Sequence, residues 1–85
     1  MYSYKTRGTC SRNIDFKIID GKVQEISFMG GCDGNLKGIA QLAEGRSADD
    51  VVKALEGITC GRKSTSCPDQ LAQAVRAAME CQAAN

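Results

Sequence analysis

Four cysteines carry most of the chemistry open to this chain. Cys60 and Cys67 flank a polar, basic loop, Gly61-Arg62-Lys63-Ser64-Thr65-Ser66. Cys67 is followed by Pro68 and Asp69. Proline fits a first helical turn and an acidic side chain suits the positive end of the helix dipole, so Cys67 falls at a helix N-terminus. A thiol there is biased toward thiolate, the form that binds metal or attacks disulfides. Cys10 and Cys32 also stand beside glycine-containing turns, where a thiolate can be aimed inward without breaking a ladder. The four read as one site with the pattern C-x21-C-x27-C-x6-C. This spacing matches no standard zinc finger. By itself it leaves two readings open, metal binding and the packing of small thiols, since cysteine without a ligand is common in cores. The turn positions favour ligation. Arg7, Arg12, Arg62 and Lys63 lie near the proposed ligands and would offset the negative charge of four thiolates around zinc. The fifth cysteine, Cys81, continues the helical face Leu71-Ala74-Val75-Ala78 and reads as a small, partly buried packing residue.

The chain contains no histidine. That excludes Ser–His and Cys–His nucleophilic pairs and imidazole-ligated metals. A second, weaker signal is the glycine-rich stretch Gly30–Asn35 ahead of a helix. Gly31, Asp33 and Gly34 there, with Lys63 and Ser64 near the last helix start, are candidates for holding an anion or nucleotide. The stretch lacks the lysine-and-hydroxyl ending of a nucleotide P-loop. An ordinary strand-to-helix turn is the competing reading.

The elements that must position these residues follow from periodicity. Residues 2–7 alternate weakly and suggest a strand. Ile14, Phe16 and Ile18 alternate with polar residues, Asp20-Gly21 is a two-residue hairpin signal, and Val23, Ile26 and Phe28 form the return strand. Val23 is out of phase with Ile26 and Phe28. One extra residue at Gln24-Glu25 restores the phase, so the pattern predicts a β-bulge that sets Ile26 opposite Phe16 and Phe28 opposite Ile14. Leu36, Ile39, Ala40 and Ala43 give a first helix that Gly45 stops. Cys32, four residues before Leu36, approaches the same inner face. Ser47 caps a second helix with Ala48, Val51, Val52 and Leu55 inside, ended by Gly57. A third helix covers about residues 68–82. Strands followed by helices give an α+β class: a small antiparallel sheet with three helices packed on one face, in a single domain over residues 1–85.

Composition sets the limits. A chain of 85 residues without tryptophan has a light core, and such domains often need a disulfide, a metal or a partner. Eleven basic against ten acidic residues argue against general nucleic-acid binding. No apolar run approaches a membrane span, and the N-terminus lacks the apolar stretch of a signal peptide. The expected compartment is the cytoplasm, where clustered cysteines bind metal or do redox work more often than they form disulfides.

Residues 65–69, Thr-Ser-Cys-Pro-Asp, are the motif that names the TSCPD domain family. Cys10, Gly30-Gly31-Cys32, Cys60 and the chain length resemble its stand-alone branch of short four-cysteine proteins. A related domain forms the C-terminal part of some adenosylcobalamin-dependent ribonucleoside-diphosphate reductases. The resemblance implies a link to deoxynucleotide metabolism, with a ribonucleotide reductase or a thioredoxin-like protein as partner. It does not imply that the chain is itself a reductase, because the large barrel and radical-generating site are missing. From Gly8 to Val52 the chain is also similar, more distantly, to the U-type iron–sulfur cluster scaffolds. The matching features are Cys10, the turn Phe28-Met29-Gly30-Gly31-Cys32, the helix start Gly45-Arg46-Ser47, and Cys67 opening the last helix. Those scaffolds carry an aspartate where this chain has Arg12, and Cys60 could take its place as fourth ligand. The first expectation is therefore a four-cysteine zinc domain with a binding or regulatory role. The alternatives are a thiol-redox carrier cycling Cys60 and Cys67, an iron–sulfur scaffold or carrier, and a nucleotide or flavin binder.

Overall fold

The computed structural model describes residues 2–6, 11–30, 33–59 and 65–84. Its nucleus is the hairpin of strands β2 (Ser11–Ile19) and β3 (Lys22–Gly30). Asp20 and Gly21 both take positive φ, 53° and 77°. Two positive values belong to the tight turn whose twist matches that of the flanking strands. The register places Ile18 opposite Val23 and Ile14 opposite Phe28, with a shift between Asp15 and Lys17. That shift is the expected bulge at Gln24-Glu25, and Glu25 sits there with φ 54°. A second shift, between Ser11 and Asn13, was not expected. It falls among polar residues, where no apolar phase exposes it in the sequence.

Strand β1 (Tyr2–Lys5) adds antiparallel to β2, giving sheet order β1-β2-β3. Tyr2 pairs with Phe16 and Tyr4 with Ile14, and the Tyr2 and Phe16 rings stack at 5.5 Å. The polar residues alternate to the other face, where the Asn13 amide donates to Ser3 and to Asp15.

Three helices, α1 (Asp33–Ala43), α2 (Ala48–Leu55) and α3 (Cys67–Ala84), close over the apolar face. Phe16, Ile14 and Val23 from the sheet meet Val51, Leu71 and Val75 from the helices, all fully buried. The inner faces of α1 and α2 are those read from the sequence: Leu36, Ala43, Ala48, Val51 and Val52 are buried, and Ile39 and Leu55 pack against them. Gly45 ends α1 at φ +79°. The Ser47 hydroxyl caps α2 by accepting the Asp50 N–H at 3.1 Å. This α1–α2 connection also covers the outer edge of β3. The Val23 N–H donates to the Arg46 carbonyl at 2.9 Å and the Gly45 N–H to the Val23 carbonyl at 2.8 Å. The Glu44 carboxylate accepts the N–H groups of Glu25 and Ile26 at 3.0 and 3.4 Å. An otherwise open strand edge is thereby satisfied.

Two boundaries and one burial differ from the sequence reading. Helix α3 begins one residue earlier, at Cys67, and runs on to Ala84. Asp33 and Gly34 belong to the first turn of α1 and not to a loop. Cys81 is exposed. Ala78 is buried on the same face, and beyond it α3 passes the edge of β1 at Tyr2 and Ser3, with which Cys81 lines a shallow dimple.

Strand β1 lies alongside α3. Tyr4 lines a cleft with Asp69, Gln73 and Glu80, and Tyr2, Tyr4 and Phe16 line the dimple with Ala74, Ala78 and Cys81.

Candidate thiolate site

The start of α3 is built almost entirely from the Thr65–Asp69 motif. Ser66 is the cap. Its hydroxyl accepts the Asp69 N–H at 3.2 Å, its carbonyl accepts the Gln70 N–H at 2.8 Å, and its hydroxyl proton goes to the Ile58 carbonyl at 2.5 Å. The Asp69 carboxylate takes three donors: the Gly57 backbone N–H at 2.8 Å, the Thr65 hydroxyl at 2.5 Å and the Gln73 amide at 2.8 Å. The Gln70 amide in turn donates to the Thr65 oxygen at 2.9 Å. Thr65, Ser66, Asp69 and Gln70 are all buried. Burial pushes the Asp69 carboxyl up, but the bonds from Thr65, Gly57 and Gln73 together outweigh it, and the group lies below its ordinary value. Pro68 brings no N–H that needs a partner in a first turn. Of the five residues only Cys67 carries a thiol, and the one other metal-binding group, the Asp69 carboxylate, is taken up by its three donors. Cys67 is the first residue of α3 and is half-buried, at the end of the helix where backbone N–H groups favour a thiolate.

Sequence reasoning found the helix start from Pro68 and Asp69 but missed the buried cluster behind it. The signal was present: a serine three residues ahead of an acidic residue is a capping pattern. Here the acidic side chain reaches Gly57 and Thr65.

Cys10, Cys32 and Cys60 lie outside the described residues, as do Gly31, Lys63 and Ser64, and also Arg7 and Arg62. What the topology does fix is the position of their chain neighbours. Ser11 and Gly30 are paired at the open end of the hairpin, so Cys10 directly precedes, and Cys32 follows by two residues, the two members of one pair. Cys32 also directly precedes α1. Thr59 follows Ile58, which is bonded to Ser66 at the start of α3, and Cys60 comes next. The segments flanking Cys10 and Cys32 thus meet at one strand pair, and those flanking Cys60 and Cys67 at one hydrogen bond. Arg12 is exposed beside Ser11, at the second bulge of β2. Gly34 is exposed, and a Cβ there would meet open space, so no close backbone approach demands glycine at that position.

Among the described residues no group of three or more cysteine, aspartate or glutamate side chains could hold a metal. The donor set the sequence offers is all thiol, in a chain without histidine. That set suits tetrahedral zinc or an iron–sulfur cluster equally. No helix among the described residues is long and apolar enough to cross a membrane.

The family model of the TSCPD domain matches residues 2–79, and the chain belongs to that family. No curated protein and no solved structure matches it.

Proposed function

We propose that this TSCPD domain binds zinc through Cys10, Cys32, Cys60 and Cys67 and acts as a binding or regulatory module linked to ribonucleotide reduction. The observations that support it most are the pairing of Ser11 with Gly30, the bond of Ser66 to Ile58, and the place of Cys67 at the first residue of α3 beside a buried polar cluster. Zinc, when bound, would tie the open end of the hairpin, the start of α1 and the start of α3 together. Four thiolates form a closed, structural coordination set with no open position. The tie to ribonucleotide reduction, with a reductase or a thioredoxin-like protein as partner, is supported by the family likeness alone. One observation also favours a second reading, a thiol-redox carrier using Cys60 and Cys67: a half-buried thiol at a helix start is the usual setting of a reactive cysteine.

Metal content and the visible spectrum of protein purified without oxygen test the assignment. One colourless zinc per chain is the expected result. A brown protein absorbing through thiolate-to-iron charge transfer would make it an iron–sulfur carrier. A metal-free protein with a reversible disulfide would make it a redox carrier. A yellow protein, or one carrying a nucleotide, would move the function to the glycine-rich turn.

A further inference from the structure

We infer that Asp69 is the positioning residue of this site, fixing the start of α3 against the end of the α2–α3 connection and so setting how long a metal held through Cys67 stays bound. The inference rests on the zinc reading above. Two consecutive backbone groups of the connection are clamped, in opposite senses. The Gly57 N–H is accepted by Asp69, and the Ile58 carbonyl accepts the Ser66 hydroxyl. Thr65, on the near side of Cys67, is held by the same carboxylate. Asp69 therefore bonds to the chain both before the Cys60–Ser64 segment and after it. Bringing the two ends of a loop together costs entropy. With Asp69 in place the protein meets part of that cost itself. Without it, only the Ser66–Ile58 bond would remain of the clamp, and a metal bridging Cys60 and Cys67 would have to meet more of the cost.

Asp69 accepts from Gly57, Thr65 and Gln73, and its effect should appear in metal lifetime more than in the fold. Leu71 and Val75 anchor α3 in the core independently of it. A control lies close by. Arg76 pairs with Glu56 at 2.6 Å, joining α3 to the same end of α2 outside the clamp.

The experiment is chelator-driven zinc release from the zinc-loaded protein, with helix content followed by circular dichroism. Asp69→Ala should keep its helices and release zinc about tenfold faster than the parent, the lower range for losing a group that orients a metal ligand. Arg76→Gln should stay within about twofold of the parent, as expected for an exposed pair. A folded, zinc-loaded Asp69→Ala with the parent's rate overturns the inference, and so does an Arg76→Gln that is accelerated equally. If Asp69→Ala does not fold, Thr65→Val, which removes one of the three donors, carries the test. About threefold faster release supports the role and an unchanged rate overturns it. A parent that takes up no zinc overturns the zinc reading, and this inference with it.

Discussion

Cys67 opens α3 half-buried, and Cys81 stands exposed on the same helix, three residues past the buried Ala78. The residues around Cys67 made its position legible: Pro68 and Asp69 mark a helix start whatever the tertiary context. The placement of Cys81 was misread for the converse reason. Its helical spacing from Leu71, Ala74, Val75 and Ala78 points inward, but the residue lies at the margin of the sheet beside Tyr2 and Ser3. Spacing gives a direction and cannot give the extent of the neighbouring layer. The two residues should respond differently to one substitution. Cys67→Ser should lose most bound zinc. Cys81→Ser should retain it and cost about 1 kcal/mol or less, as surface changes do. Zinc per chain and the thermal midpoint of both variants check this.

At the scale of elements, the bulge in β3 was readable from three apolar residues, because slipping one residue would turn Ile26 and Phe28 out of the core. The bulge in β2 at Arg12 has no such marker. Neither does the docking of Gly45–Ser47 on β3, which is made by backbone groups. The described bulge puts Glu25 at φ 54°, with its side chain paired to Lys17 at 2.8 Å on the surface. Left-handed backbone is costly for a β-branched residue, so Glu25→Val should lose about 1–2 kcal/mol. Glycine accepts that φ freely but has more unfolded-chain entropy to lose, and the exposed pair is worth little. Glu25→Gly should therefore stay within about 0.5 kcal/mol of the parent. Urea unfolding of the two variants decides. Equal stabilities would contradict the described bulge.

At the scale of the whole molecule, a small, mostly aliphatic core around Phe16 joins a three-stranded sheet to three helices. The α+β arrangement and the inner helix faces followed from periodicity, because a short chain has few ways to bury its apolar positions. The helix-start position of Cys67 was legible from its neighbours, and Cys10, Cys32 and Cys60 lie outside the described residues. The Thr65–Asp69 network was not legible, since it depends on contact with Gly57 and Ile58. Leu71 lies at the centre of the core. Leu71→Ala should cost about 2–5 kcal/mol, a large part of the stability of a domain this size, read by urea unfolding. Metal would add to that core, since structural zinc in small modules contributes about 10 kcal/mol or more. The most direct test of the account is X-ray absorption at the zinc edge of the zinc-loaded protein. The account predicts four sulfur atoms at about 2.3 Å and no nitrogen or oxygen bound to the metal. Fewer than four sulfurs, or any nitrogen or oxygen ligand, would contradict it.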